Sequence, residues 1–195
     1  MNHRELTLEI LKDQVERCVL CDLSKSRINA VPGNGNTTDK VMIIGEAPGK
    51  NEDKNGVPFI GSAGKILDKA LQEGGLARND VYITNVVKCR PPHNRVPTDN
   101  EIQICTSSYL KNEINLIAPK IICILGATAL KSLLGYDHMG KYRGKIIDIV
   151  PHRYFITYHP AATIYNVKLK QVFFEDMSKL ARIVKGNKNT MDRYF

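Results

Sequence analysis

Hydrophobic residues are concentrated in four short, nearly continuous runs along the chain, at residues 40–44, 81–84, 120–125 and 154–158. The runs are rich in β-branched side chains and do not alternate with polar ones, which is typical of strands buried on both faces of a sheet. Between the runs, apolar residues recur at intervals of three and four, which predicts helices. Strands that alternate with helices in this way predict an α/β fold in three layers, α/β/α, around a central four-stranded parallel sheet.

Local signals mark the ends of several predicted helices. Thr98 and Glu101 form a capping box that opens one of them, and the longest predicted helix covers residues 167–184. The polar tail that follows, about residues 186–195, is expected to be frayed. Because no repeat or low-complexity linker divides the chain, residues 1–195 are predicted to form a single domain.

The composition is that of an ordinary globular protein, with 43% hydrophobic and 25% charged residues in a chain of 195, which excludes wholesale disorder. No apolar run approaches the roughly 20 residues that a membrane-spanning helix needs, and the N-terminal segment lacks a signal-peptide core. We therefore expect a cytoplasmic protein with no membrane partner. Its 28 Lys and Arg against 20 Asp and Glu give a formal net charge of +8, which favours a polyanionic partner.

The five cysteines argue for metal binding rather than for disulfides, because their number is odd and no secretion signal accompanies them. Cys18 and Cys21 form a C-x-x-C pair that can bind one metal centre, and Cys89 and Cys105 could supply two more thiolates. Core packing would also explain Cys105. Cys123 lies inside a buried-strand run and is expected to be an ordinary core residue. The spacing alone does not separate zinc from an iron–sulfur cluster.

Polar and small residues follow the predicted strands, at the carboxyl ends where ligands bind in parallel sheets. Phe59 lies in the loop after the first strand, Asn85 follows the second, and His159 follows the fourth. An aromatic ring, an amide and a histidine suit a planar ligand that forms hydrogen bonds. Taken singly, each also has an ordinary structural explanation: a core side chain, a turn cap and a hydrogen-bonded structural histidine. Neither glycine-rich nucleotide fingerprint occurs, which counts against an NTPase or a dinucleotide enzyme.

These strand ends resemble the motifs of the family 4, or type-4, uracil-DNA glycosylases. The resemblance is carried by Gly45-Glu-Ala-Pro-Gly49 with Pro58-Phe-Ile-Gly61, by Thr84-Asn-Val-Val-Lys-Cys-Arg-Pro-Pro92, and by His159-Pro-Ala-Ala162. The three blocks occur in the order of the family, and the resemblance extends from about Cys18 to the last predicted helix.

The resemblance implies the fold of the uracil-DNA glycosylase superfamily and a DNA-repair enzyme. Such an enzyme flips uracil out of single- or double-stranded DNA, hydrolyses its N-glycosidic bond and leaves an abasic site, without lyase activity. A [4Fe–4S] cluster is implied, ligated by Cys18, Cys21, Cys89 and Cys105. Two alternatives stay open: a related glycosylase of broader base specificity, and a non-catalytic iron–sulfur module that binds DNA.

The resemblance also implies roles for the residues of the base pocket. Phe59 would stack on the flipped base, and Asn85 would form hydrogen bonds with the O4 and N3–H edge of uracil. His159 would donate to O2 while negative charge develops on the leaving base. Backbone amides around Glu46, Ala47 and Pro48 would complete the pocket. The implied pocket residues are Glu46, Ala47, Pro48, Phe59, Asn85 and His159.

This chain differs from the best-known uracil glycosylases, which belong to another family, in two residues. One bears on activation of the attacking water and the other on exclusion of the thymine methyl group. Those enzymes carry Asp where this chain has Ala47, and Tyr where it has Gly49. The water is therefore left to Glu46, to Asp53 or to positioning without a general base, with Glu46 favoured as the second catalytic residue beside His159. Other walls of the pocket must exclude the methyl group.

Contacts with the DNA backbone are predicted for basic residues in loops that border the strand-end face. They are Arg90, Arg95, Lys141, Arg143, Lys145 and Lys168. The segment 163–166 stands where relatives usually have a Leu-Arg pair, so Ile164 or Tyr165 is expected to fill the space that the flipped base vacates. We expect a monomer, and no segment argues for a sliding-clamp partner.

Overall fold

Six strands form one sheet at the centre of the computed structural model, which describes residues 3–38 and 41–191. In chain order they are β1 (Asn34–Gly35), β2 (Val41–Gly45), β3 (Tyr82–Asn85), β4 (Ile121–Leu125), β5 (Ile146–Ile149) and β6 (His152–Thr157). The spatial order is β1-β3-β2-β4-β6-β5. The four inner strands, β3, β2, β4 and β6, are parallel and correspond to the four predicted runs, so the predicted parallel centre is confirmed.

The two outer strands, β1 and β5, pair antiparallel with their neighbours and were not predicted. β1 is two residues long, and β5 is partly exposed along its whole length, so neither forms a buried apolar run. The sheet is therefore mixed and larger than the four strands expected. Residue 40, the first residue of the run that became β2, lies outside the described residues.

Helices cover both faces of the sheet. They are α1 (His3–Glu16), α2 (Lys50–Asn55), α3 (Ser62–Gly74), α4 (Asp99–Cys105), α5 (Lys111–Ile117), α6 (Ala127–Leu134), α7 (Met139–Tyr142) and α8 (Val167–Met191). A π-helical turn, Thr106–Leu110, joins α4 to α5 directly after Cys105. Within the described residues, none of the helices has the length and hydrophobicity that would let it span a bilayer.

The start of α4 and the end of α8 were both predicted from the sequence. The capping box of Thr98 and Glu101 is present at the start of α4, with each side chain accepting from the backbone N–H of the other residue. The last helix continues past the predicted end at Val184 and reaches Met191. Residues 192–195 lie outside the described residues, so the fraying expected for about residues 186–195 stays a prediction.

Alternating side chains of the inner strands divide the hydrophobic core in two. On one face, residues such as Ile44 pack with α1, α4, α5 and α6, and all four candidate ligand cysteines contact this first core. On the other face, residues such as Ile43 pack with α3 and α8. Cys123 lies in this second core and is fully buried, as expected for an ordinary core residue.

The inner strands also place their carboxyl ends on one side of the sheet. The β2–β3 pairing continues beyond the strands, because Val86 N–H donates to the Gly45 carbonyl at 2.9 Å and Val87 N–H donates to the Glu46 carbonyl at 3.1 Å. This extension holds the loop after β2 against the loop after β3. The two sequence segments that were predicted to share a site are therefore neighbours.

Candidate active site

A cavity of about 510 Å³ opens at the carboxyl ends of the inner strands. Five of the six residues predicted to form the base pocket line it, namely Glu46, Ala47, Pro48, Phe59 and His159. Small-molecule sites in proteins have volumes of roughly 300–1,000 Å³, so the cavity has the size of such a site.

Phe59 is held in place by its own backbone. Its φ of 52° lies in the left-handed region, which L-residues adopt only when surrounding contacts enforce it. The Arg78 guanidinium donates to the Phe59 carbonyl at 3.0 Å and to the Pro58 carbonyl at 2.5 Å, and it pairs with Asp68 at 2.8 Å. Gly64 permits the close approach, since a Cβ there would lie 1.9 Å from the Phe59 oxygen. The Phe59 ring is thus presented to the cavity by a fixed loop.

Asn85 lies behind Phe59, at the end of β3, and is 1% exposed. It stands opposite Gly45 in the register of β2 and β3. A Cβ on Gly45 would lie 2.5 Å from Phe59 Cζ and 2.6 Å from Asn85 Oδ1. The ring and the amide therefore both lie next to the Gly45 backbone, in space that any side chain at this position would occupy. Asn85 Oδ1 is buried and has no hydrogen-bond partner among the described residues. A buried acceptor without a partner is costly and points to a ligand that supplies a donor.

His159 presents a neutral N–H donor to the same cavity. Its Nδ1 accepts the Ala161 N–H at 3.2 Å, and burial lowers the pKa of the imidazole to about 4. The ring is therefore neutral at physiological pH, and its proton is on Nε2. Nε2 is buried and meets no partner in the part of the chain that the structure describes. The His159 and Phe59 ring centroids are 5.6 Å apart with planes inclined at 37°, which brings the donor close to the aromatic wall.

Of the two carboxylates considered for the attacking water, only Glu46 borders the cavity. Its Oε2 accepts the Thr128 hydroxyl proton at 2.5 Å. The Asp53 carboxylate instead accepts the backbone N–H groups of Ile28 at 2.9 Å and Asn29 at 3.3 Å. Asp53 therefore fixes the segment before β1, and its candidacy for water activation is not supported by its position.

Glu52 is a second carboxylate of the cavity wall, and sequence reasoning did not single it out. Its Oε1 accepts the N–H groups of Ile60 at 2.9 Å and Gly61 at 2.7 Å, directly after Phe59. Its Oε2 faces Gly49, where a Cβ would lie 2.8 Å away. Glu52 thus occupies the side of the cavity next to Gly49 and braces the loop that carries Phe59.

The four candidate ligand cysteines are all free thiols that contact the first core. Three receive N–H donors: Cys89 Sγ from Arg27 Nη1 at 2.9 Å, Cys105 Sγ from Lys88 N at 3.2 Å, and Cys18 Sγ from Leu20 N at 3.5 Å. Burial raises the pKa of the Cys105 thiol to about 12. Within residues 3–38 and 41–191, no three or more His, Cys, Asp or Glu side chains are arranged to hold a single metal ion. An all-thiol donor set with N–H groups directed at sulfur suits a sulfide-bridged cluster.

Residues 32–181 match the family model described as the uracil DNA glycosylase superfamily. Three similar proteins are named type-4 uracil-DNA glycosylase. That of Saccharolobus solfataricus is 44% identical, covering 96% of this chain and 91% of that protein. That of Sulfurisphaera tokodaii is 42% identical over 97% and 90%, and that of Thermotoga maritima is 40% identical over 95% and 98%. The chain belongs to the type-4 uracil-DNA glycosylases. The family and fold predicted from the motifs are therefore confirmed.

Two of the basic residues predicted to contact DNA lie near the mouth of the cavity. Arg95 lines the cavity, and its guanidinium pairs with Glu101 at 2.7 Å. Arg90 Nε donates to Asn94 Oδ1 at 2.8 Å, and Asn94 is itself a lining residue. Both arginines are thus held in fixed positions beside the opening.

The other four predicted DNA contacts lie farther along the chain and differ in their freedom. Lys141, Lys145 and Lys168 are exposed. Arg143 pairs with the buried Asp176 at 3.1 Å, which ties it to α8. The lysines are therefore better placed than Arg143 to reach a phosphate.

Besides the cavity and the cysteines, the structure contains a buried ion pair, Lys88 and Glu113, which the sequence analysis did not predict. The signal for Lys88 was its position directly after the apolar pair Val86-Val87, and because the whole stretch 81–89 is buried, a lysine there requires a buried partner. The partner, 25 residues away, could not be identified without the fold.

Proposed function

We propose that this chain is a monofunctional uracil-DNA glycosylase, which hydrolyses the N-glycosidic bond of deoxyuridine flipped out of DNA. The observation that carries the proposal is a complementary pair of buried, unpartnered polar atoms within the described residues. Asn85 offers an acceptor and His159 a donor, both beside the Phe59 ring. The names of the type-4 relatives agree with this substrate.

Uracil matches this pair of atoms through its imide edge. Its N3–H donates to Asn85 Oδ1, its O4 accepts from the same amide, and its O2 accepts from His159 Nε2–H. Cytosine presents an acceptor at N3 and a donor at C4, so its edge would face like groups on Asn85. Sites whose buried polar groups are left unpaired by the wrong ligand discriminate by factors of about 10⁴–10⁵.

The chemical step follows from the placement of His159 and Glu46. As the C1′–N1 bond breaks, its electron pair leaves with uracil, and negative charge grows on O2. The neutral imidazole of His159 already carries its proton on Nε2, so it stabilises that charge by donating a hydrogen bond, with no prior change of its protonation state. Glu46 orients the water whose oxygen bonds to C1′, and the released proton passes to the carboxylate or to solvent.

Glu52 supplies the wall that the small residue Gly49 leaves open. Its Oε2 lies beside Gly49. We place C5 of the base against this wall, where a methyl group would meet the carboxylate. We assign the exclusion of thymine to Glu52. This assignment favours uracil over the broader specificity that Gly49 alone would permit.

The cysteines would hold a [4Fe–4S] cluster, with Cys18, Cys21, Cys89 and Cys105 as ligands. When bound, the cluster supplies a structural cross-link between the segment after α1 and the loop after β3. The N–H donors from Arg27, Lys88 and Leu20 support this assignment, since such contacts stabilise cluster sulfurs. None of the chemical steps above uses the cluster.

DNA would lie across the opening of the cavity, with the monomer contacting phosphates through Arg90, Arg95, Lys141, Lys145 and Lys168. Ile164 lines the cavity and Tyr165 is 98% exposed next to it. A large aromatic side chain with so little packing on its own protein has surface available for a partner. We assign Tyr165 to the gap left in the base stack.

The test is uracil release from single- and double-stranded oligonucleotides that contain one deoxyuridine, with abasic sites revealed by alkaline cleavage. Parallel substrates carry hypoxanthine, or thymine opposite guanine, and test for broader specificity. We expect product from the uracil substrates and greatly reduced product with His159→Ala. Binding of uracil-containing DNA without base release would favour the non-catalytic module instead.

A further inference from the structure

Lys88 and Glu113 form an ion pair in the first core, below the end of β3. Their side chains are 1% and 2% exposed, and Lys88 Nζ lies 2.6 Å from Glu113 Oε2. Burying two charges carries a desolvation cost that often cancels their attraction, so a well-packed apolar pair would serve stability equally well. The pair therefore calls for an explanation other than stability.

The contacts of the Lys88 ammonium group reach the base-reading residue. Its Nζ donates to the Asn85 carbonyl at 2.9 Å, to Thr84 Oγ1 at 2.5 Å and to Glu113. An ammonium group has three protons, and each has an acceptor here. The Asn85 backbone is thus fixed on the side away from the cavity by a fully satisfied donor.

Glu113 in turn fixes the ammonium group. Its Oε1 accepts the Gly33 N–H at 3.1 Å and the Tyr82 hydroxyl at 3.4 Å, and its Oε2 accepts the Thr84 hydroxyl at 3.0 Å. The carboxylate is therefore held by β3 and by Gly33, the residue directly before β1. An apolar replacement could fill this volume, but it could not hold the Asn85 carbonyl.

The backbone of Lys88 connects the same network to the cysteine site. Its N–H donates to Cys105 Sγ at 3.2 Å, and its carbonyl accepts the Val31 N–H at 2.7 Å. The next residue is Cys89. One residue therefore contacts the strand end that carries Asn85 and one of the four cysteines, and is adjacent to a second.

We propose that Lys88 and Glu113 are positioning residues for base recognition, which fix the Asn85 amide over Gly45 in the orientation that uracil requires. The inference rests on the proposed glycosylase function and deepens it, because it assigns base specificity to a buried network outside the cavity. Neither residue lines the cavity, and both act through Asn85.

The test is a double-mutant cycle on the iron-loaded protein. Lys88→Met combined with Glu113→Gln removes both charges, keeps the side-chain volumes and leaves an acceptor for Gly33. It is combined with Asn85→Ala, and single-turnover uracil release is measured for all four proteins. Affinity for a duplex carrying 2′-fluoro-2′-deoxyuridine, which resists hydrolysis, is measured in parallel. Ile117→Ala, in the same helix as Glu113 and fully buried, is the control for simple destabilisation.

We expect the charge-free pair to slow uracil release by roughly 100-fold when Asn85 is present, since small misplacements of a recognition group have effects of this size. In the Asn85→Ala background the same pair should cause almost no further loss of rate or affinity. Ile117→Ala should lower the melting temperature and leave both measurements near wild type.

An equal loss in both backgrounds, or a loss that follows the iron content, would overturn the positioning role. Should the charge-free pair fail to fold, Thr84→Val replaces it in the cycle, because it removes one acceptor of Lys88 and leaves no charge unpaired. Uracil release by the wild-type protein is the reference that separates the two claims. Its absence would refute the proposed function, whereas an active wild type with additive variants refutes the positioning role alone.

Discussion

Gly45 and Asn85 stand opposite one another at the ends of β2 and β3, and the missing side chain of Gly45 leaves the space beside the buried Asn85 amide unfilled. Any Cβ at position 45 would touch both the amide and the tip of the Phe59 ring. The proposed recognition element therefore depends on strand register, because the residue opposite Asn85 has no side chain to cover it.

His159→Ala should lower single-turnover uracil release by about 10² to 10³, the usual effect of removing one donor to a developing oxyanion. Glutamine at the same position can donate a hydrogen bond and should recover part of the rate. Equal activity of His159→Ala and the wild type would show that the imidazole does not stabilise the leaving base.

The pH dependence follows from the same histidine. Because burial lowers its pKa to about 4, the neutral form persists in the folded protein, and the rate should show no inflection near the ordinary histidine value of about 6.5. Between these two values the unfolded chain binds a proton that the folded chain does not, so stability should fall as pH falls through this window. His159→Gln should reduce that slope in a pH series of chemical denaturation curves. An unchanged slope would contradict the lowered pKa.

Thymine exclusion by Glu52 is tested by shortening the side chain. Glu52→Ala opens the wall beside Gly49 and should make thymine release from duplex DNA detectable, while the loosened loop after Phe59 slows uracil release. Glu52→Gln, which keeps the size, is the matched control and should still exclude thymine. If Glu52→Ala releases no more thymine than Glu52→Gln, another residue excludes the methyl group.

Cys89 is assigned as a cluster ligand and Cys123 as a core residue, so their replacement should have different effects. Cys89→Ala should remove the visible iron–sulfur absorbance of anaerobically purified protein and lower its stability, because the cross-link to the segment after α1 is lost. Cys123→Ala should cost about 1 kcal/mol of stability and leave the iron content unchanged. A colourless wild-type protein with stoichiometric zinc would contradict the cluster.

Phosphate contacts are tested by the salt dependence of DNA binding. Lys141→Ala and Lys145→Ala should each reduce the slope of the logarithm of the DNA-binding constant against the logarithm of the salt concentration by about 1. The reason is that a variant with one phosphate contact fewer releases fewer counterions when it binds DNA. Lys12→Ala, which removes a lysine of α1 paired with Glu9, should leave the slope unchanged. Unchanged slopes for both 141 and 145 would place the DNA elsewhere.

The inner strands and their ends could be predicted because their signals are local. Continuous apolar runs identify β2, β3, β4 and β6, and parallel strands necessarily bring their following loops to one edge. The edge strands β1 and β5 have no such signal, since one is very short and the other is not buried.

The supporting contacts of the site could not be predicted, because they join residues far apart in sequence. Arg27 donates to a cysteine 62 residues away, and Lys88 pairs with a residue 25 positions away. Glu52 and Asp53 are adjacent in the chain, yet one faces the cavity and the other braces the segment 28–29. Only the path of α2 decides which of the two carboxylates belongs to the site.

The most direct measurement compares uracil release by the iron-loaded wild type and by Gly45→Ala. The two proteins are first shown to have the same melting temperature and the same iron content. The Gly45 backbone is not left-handed, so alanine adds no backbone strain and acts mainly by filling the gap between Phe59 and Asn85. The wild type should release uracil from single- or double-stranded substrate, and Gly45→Ala should release almost none. A wild type without product, or a Gly45→Ala variant as active as the wild type, would contradict the assignment of this gap as the uracil site.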